Sequence, residues 1–349
     1  DSPPQPPPTT TARRPLEGGR RGGACCANSG AAQAARAAAR KFRRVGFMGE
    51  VYPNELLNFA QKEMLMSEMR QHTVQCLSPG GLHRMAYVEW GDPHNPRVLV
   101  CVHGLTRNAR DFDVLAQALS GHYRVVCPDV VGRGRSNWLR LKDHYQVQQY
   151  VADMVTLIAR LGVDEVHWVG TSMGGMIGMA LAAQAETPIV RLVLNDVGPV
   201  ISAAAVKRIG EYVGVMPQFA SFNEAEQYVR LVSAPFGRFS DAQWKHLTEH
   251  VTRQTAGGYE LVYDPGIAVP FRKDISDDDI SLWPLYDAIR CPTLVVRGAE
   301  SDLLSHETCL EMGRRGPKAI VAEIPGVGHA PMFMDDAQVA VVREFLLSK

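Results

Sequence analysis

Net charge, paired cysteines and long apolar runs are all scarce in this 349-residue chain. Thirty-seven Lys and Arg balance thirty-seven Asp and Glu, so the molecule as a whole is not built to bind a polyanion, and no nucleic-acid partner is expected. The balance is uneven: residues 1–45 hold nine basic residues against Asp1 and Glu17, leaving +7 in the tail and −7 in the rest. Seven cysteines make an odd number with no C-x-x-C spacing, and most lie in apolar stretches such as VLVCVHG, which points to a reducing compartment and a cytoplasmic protein. The longest near-continuous apolar run, residues 173–183, is broken by glycines and falls well short of the ~20 residues that cross a bilayer, so no membrane partner is expected. The opening DSPPQPPPTTTARR lacks the apolar core of a secretory signal, while residues 18–45 have only the Arg- and Ala-rich, acid-poor character of a transit peptide. The simpler reading makes residues 1–60 a poorly ordered basic extension. Met48, Met64 and Met66 offer later starts that would make the tail dispensable.

What is present is globular. Hydrophobic residues are 46% and charged residues 21%, near the average for folded domains. From about residue 83, short β-branched runs alternate with helical patterns, the mark of a mainly parallel, doubly wound α/β sheet. The candidate strands are residues 97–104, 123–129, 164–170, 189–196, 291–298 and 319–325, near-continuous in hydrophobicity as strands covered on both faces are. Val147, Tyr150, Val151, Met154, Ile158 and Leu161 recur at helical spacing ahead of a stop at Gly162, and a last helix follows Asp335 and Asp336. The alternation lapses over residues 199–285, too many for one crossover, so these are expected to form an inserted helical cap. Residues 61–198 and 286–349 then form the core, and the pocket lies at the carboxyl ends of the strands, under the cap.

The most informative stretch is VHWVGTSMGGMIGMALAA, in which Gly170-Thr171-Ser172-Met173-Gly174 runs from a strand through a tight turn into a helix. A chance match in a chain with 31 glycines is the competing reading. A serine hydroxyl needs a base within hydrogen-bond reach and an acid to orient that base. Asp302 and His329 each follow a strand, so Ser172, Asp302 and His329 are the expected nucleophile, orienting acid and base. Asp196, also behind a strand, competes for the acid role, and Glu300 is a weaker competitor. Backbone N–H groups of Leu105 and Met173 are the expected oxyanion donors, with His103 structural. Arg107 and Asn108 are close enough in sequence to line the pocket, and Arg107 suits a substrate carboxylate. No cofactor is expected: residues 129–136 (DVVGRGRS) lack both phosphate-loop patterns. No metal is expected either, because His246 and His250 stand at i, i+4 without a further ligand in view.

Val102-His103-Gly104, Asp129-x-x-Gly132-x-Gly134-x-Ser136, Gly170-Thr171-Ser172-Met173-Gly174-Gly175, Asp302 and Gly328-His329-Ala330-Pro331 together resemble the α/β-hydrolase superfamily over about residues 83–349. Within it the chain resembles the capped serine hydrolases: carboxylesterases, lactonases, C–C hydrolases and perhydrolases. The stretches HGLTRNARDFDVLA and LVLNDVGPVI are more similar to a bacterial group of intracellular 3-hydroxybutyrate-oligomer hydrolases. The resemblance implies a serine hydrolase that cleaves a small carboxylic ester through an acyl-enzyme. An acyltransferase, C–C hydrolase or perhydrolase on the same triad, or a non-catalytic ligand-binding protein, are the alternatives. A serine where haloalkane dehalogenases and epoxide hydrolases carry aspartate disfavours those activities. No apolar stripe is left over after the core is assigned, so no oligomeric state is read from the sequence.

Overall fold

Residues 68–273 and 277–348 are described in a computed structural model of the protein, all within the unit Lys62–Lys349. The extension expected over residues 1–60 lies outside the described residues. The β-branched runs form one eight-stranded sheet: β1 (Arg70–Ser78), β2 (Gly81–Trp90), β3 (Val98–Val102), β4 (Arg124–Pro128), β5 (Val166–Thr171), β6 (Ile189–Asn195), β7 (Thr293–Gly298) and β8 (Ile320–Ile324). Their spatial order is β1-β2-β4-β3-β5-β6-β7-β8. The pairs from β4 to β8 are parallel, and β2 runs antiparallel to both β1 and β4. All residues of β3 and of β7 are buried, as a strand covered on both faces requires.

Helices cover the two faces. α1 (Asp113–Leu119) and α8 (Asp336–Leu347, capped by Asp335) bury Leu115, Leu119, Val342 and Leu346 against one face. α2 (Val147–Leu161) and α3 (Met173–Ala182) bury Met154, Leu157, Ile177 and Met179 against the other. α2 stops at Gly162, which takes φ 70° as a left-handed cap. Each fully buried aliphatic side chain contributes about 1.5–3 kcal/mol, so the two layers hold the strand ends in fixed register.

Between β6 and β7 the chain forms α4 (Ala203–Tyr212), α5 (Phe222–Val232) and α6 (Asp241–Val251), capped by Ser202, Ser221 and Ser240. This segment is less purely helical than expected. α6 ends at Val251, and Thr252–Thr255 turns back on Gly258–Leu261, which also pairs with Gln218–Phe219. The segment is fastened to the core by polar contacts. Gly134 N–H donates to Val262 O at 2.9 Å, Asp264 N–H to Gly132 O at 2.7 Å, and Gly328 N–H to Pro235 O at 2.7 Å. α7 (His306–Met312) follows β7.

Candidate active site

β5 delivers Ser172 to the sheet's carboxyl edge through a turn that only glycine neighbours permit. Ser172 takes φ 51°, ψ −114°, a strained conformation that projects its hydroxyl. A Cβ at Gly170 would stand 2.2 Å from Gly174 O, and one at Gly174 would stand 2.0 Å from Val102 O, so neither position has room for a side chain. Met173 opens α3, where the first N–H groups lack an intrahelical acceptor. The turn after β3 lies alongside: a Cβ at Gly104 would be 3.8 Å from Ser172 Cβ, which puts Leu105 next to the nucleophile.

His103 braces that turn. Its Nδ1–H donates to Gly104 O at 2.7 Å, and its Nε2 accepts from Val130 N–H at 2.9 Å. Complete burial holds its pKa down at about 3, so it is a neutral strut. Arg133 braces the same loop from beneath, and sequence reasoning missed it. Fully buried, it donates through Nε to Leu105 O at 2.8 Å and through one terminal nitrogen to Val131 O at 2.8 Å and Tyr150 Oη at 3.0 Å. A second terminal nitrogen lies 3.6 Å from Met173 Sδ. The motif containing Arg133 read only as a turn, because nothing in its spacing reveals that the side chain points inward.

His329, in the loop after β8, bridges two groups. Its Nε2 is 3.0 Å from Ser172 Oγ, and its Nδ1 is 2.7 Å from Asp196 Oδ2. Asp196 has no exposed surface and also accepts from Gly298 N–H at 2.9 Å and Ser301 Oγ–H at 2.6 Å, which leaves its carboxylate oriented from three sides. The expected acid, Asp302, is elsewhere. Its side chain is 56% exposed and pairs with Arg208 of α4. The reason is strand order: β6 lies directly between β5 and β7, so Asp196, the residue just after β6, faces the nucleophile, while the loop after β7 turns Ser301 inward and Asp302 outward. The chain order serine, aspartate, histidine holds with either acid. Glu300 is likewise exposed.

The expected substrate contacts also divide. Asn108 is buried and structural: its Oδ1 caps Arg110 N–H at 3.0 Å, and its Nδ2–H donates to His250 O at 2.6 Å. Arg107 does border the site, but its guanidinium is closed on Asp111 in a two-pronged pair of 2.9 and 2.6 Å. Two chambers meet at Ser172. One, of about 740 Å³, is walled mainly by apolar side chains, among them Met176, Val197, Ile201 and Leu282. The other, of about 540 Å³, is also lined largely by apolar side chains, among them Val229, Phe236 and Leu261, but it is bordered in addition by His329, Arg107, Asp111, Arg208 and Asp302.

Two side-chain clusters among the described residues have metal-ligand character. His246 and His250 do gain a third neighbour, Asp113, that the sequence had not offered, but both Asp113 oxygens bond Arg110, which a cation would have to displace. In the buried Cys76, His83 and Asp153 cluster, burial pushes the thiol up to about 12, and Gln149 and His83 occupy the Asp153 oxygens at 2.8 and 3.0 Å.

Residues 99–344 match the alpha/beta hydrolase family. The chain is 55% identical over 280 residues to a 3-hydroxybutyrate-oligomer hydrolase of Cupriavidus necator, covering 78% of this chain and 96% of that one. It is 25% identical over 262 residues to esterase YbfF of Escherichia coli, covering 72% and 94%. The crystal structure of an alpha/beta hydrolase from Novosphingobium aromaticivorans is similar with a TM-score of 0.72 at 35% identity, covering 80% and 99%. With a family match across most of its length, a shared sheet and a serine on the elbow after β5, the chain belongs to the alpha/beta hydrolase family.

Proposed function

We propose that this hydrolase cleaves small carboxylic esters, specifically 3-hydroxybutyrate oligomers, by a double displacement at Ser172. The observation that carries the proposal is the bridge from Ser172 Oγ through His329 to Asp196, which activates a weak nucleophile. Asp196 holds His329 in the tautomer whose Nε2 accepts the serine proton. Ser172 Oγ attacks the ester carbonyl carbon as its proton moves to Nε2. The tetrahedral oxyanion is held by the Leu105 and Met173 N–H groups, a contribution of roughly 2.7–4 kcal/mol per donor in such sites. The C–O bond then breaks, His329 protonates the departing alkoxide, and an acyl-serine remains. Water, deprotonated by His329, attacks the acyl carbon and releases the acid, and the proton returns to Ser172. The 3-hydroxybutyrate-oligomer hydrolase at 55% identity supports the choice of oligoester. The five cysteines among the described residues are unpaired, which supports a cytoplasmic location. Among those residues no helix is long and apolar enough to cross a membrane.

Initial rates on 3-hydroxybutyrate dimer and trimer, and on p-nitrophenyl acetate, butyrate and octanoate, test this reading in wild type and Ser172→Ala. The dimer and trimer are expected to be turned over, with kcat falling at least about 10³-fold in Ser172→Ala. Turnover that survives Ser172→Ala contradicts the mechanism.

A further inference from the structure

The two chambers are not equivalent with respect to the chemistry. His329 and the charged side chains border the smaller chamber and not the larger one, whereas Ser172 borders both. In the serine mechanism the imidazole must protonate the departing alkoxide, so that oxygen has to lie on the His329 side of the scissile carbon. The leaving alcohol therefore occupies the smaller chamber, and the acyl group extends past Met176 and Ile201 into the larger one.

That orientation bears on the ends of an oligomeric hydroxy-acid ester. At the last ester bond the leaving alcohol is the terminal hydroxy acid, which carries the free carboxylate, and the smaller chamber would receive it. Four charged side chains face the chamber: Arg107, Asp111, Arg208 and Asp302. Arg107 is committed, since both partners of its two-pronged pair with Asp111 are about nine-tenths covered, at 12% and 9% exposure. The Arg208–Asp302 pair is 48% and 56% exposed, where an ion pair is weak and re-forms readily with another anion. Its guanidinium presents several donors, of which Asp302 engages one nitrogen.

Resting on the esterase reading above, we propose that Arg208, on α4, is the carboxylate subsite for the leaving group, so that the enzyme removes units one at a time from the carboxyl end of the oligomer. Asp302 steers Arg208 over the chamber and is released when the substrate carboxylate takes its place. In each cycle the bond from the acyl carbon to the alkoxy oxygen of the last unit breaks, His329 supplies the proton, and one free hydroxy acid departs. The shortened acyl chain stays on Ser172 until water releases it.

The test compares kcat/KM on 3-hydroxybutyrate dimer with that on its methyl ester, in wild type, Arg208→Gln, Arg208→Lys and Arg107→Gln. The acid-to-methyl-ester ratio is expected to fall about tenfold in Arg208→Gln, mainly through KM, and to recover in part in Arg208→Lys. An unchanged ratio in Arg208→Gln, or a fall seen only in Arg107→Gln, overturns the subsite. Trimer labelled in its carboxyl-terminal unit supplies a second readout: label is expected first in monomer, and label appearing first in dimer overturns the direction. If wild type turns over p-nitrophenyl butyrate but neither dimer, the oligoester reading fails and takes the subsite with it.

Discussion

At the scale of single residues, the site turns on which side chains point inward, a property that sequence pattern conveys unevenly. Ser172 and His329 were legible because each sits in a local motif, the G-x-S-x-G elbow and the G-H-A-P loop, whose glycines have a physical purpose. The carboxylate that bonds His329 was not, since Asp196 and Asp302 both follow a strand and differ in the neighbour that strand acquires in the sheet. Arg133 was invisible for a related reason. A guanidinium buried at 0% exposure and bonded to carbonyls and a tyrosine hydroxyl carries no spacing signature. Its fork reaches Leu105 O, Val131 O and Tyr150 Oη together, which a lysine ammonium does not reproduce. We therefore expect Arg133→Met to lower kcat on p-nitrophenyl butyrate at least about tenfold with little change in KM, as misplacing one oxyanion donor does. Arg133→Lys is expected to recover little of that. Steady-state kinetics of the two variants checks this, and wild-type kcat in Arg133→Met would remove Arg133 from any part in positioning the loop.

At the scale of elements, five of the six near-continuous apolar runs became the largely buried β3 to β7, because a strand buried on both faces has little choice of residue, whereas the sixth became β8, an edge strand with no buried residue and not the covered one expected. The hairpin β1-β2 was only partly legible. β1 exposes alternate residues, and its inward positions include Cys76 and Ser78, so the period-2 signal is faint. The strands after α6 were hidden as well: Thr252–Thr255 continues the polar texture of the helix before it, and the pairing of Gly258–Leu261 with Gln218–Phe219 depends on Gly258, whose Cβ would stand 2.0 Å from Phe219 O. The elbow between β5 and α3 is where element geometry and function coincide. Gly174→Ala must push β3 away from α3, because the added methyl meets Val102 O at 2.0 Å. The expected result is a loss of several kcal/mol in urea unfolding or failure to fold, a backbone clash being among the costly classes of substitution. A Gly174→Ala protein with wild-type stability and activity would contradict this tight packing.

At the scale of the whole molecule, the sheet supplies fixed strand ends and the segment between β6 and β7 supplies the walls. That division explains why the core was legible and the pocket was not. Strands announce themselves through burial, but the wall is made by contacts between residues far apart in sequence, such as Asn108 with His250 and Arg208 with Asp302. The consequence is a junction at Ser172 between two chambers, only the smaller of which is bordered by His329 and by charged side chains. All of this depends on Ser172, His329 and Asp196 acting as one unit, so the most direct measurement is kcat on p-nitrophenyl butyrate for Asp196→Asn beside Asp302→Asn. Loss of the buried carboxylate leaves His329 in the wrong tautomer, and kcat is expected to fall by about 10³–10⁴ in Asp196→Asn. Asp302→Asn is expected to stay within about tenfold of wild type, because an exposed ion pair is worth about 0–1 kcal/mol. The reverse pattern, a collapse in Asp302→Asn with Asp196→Asn active, would contradict the account.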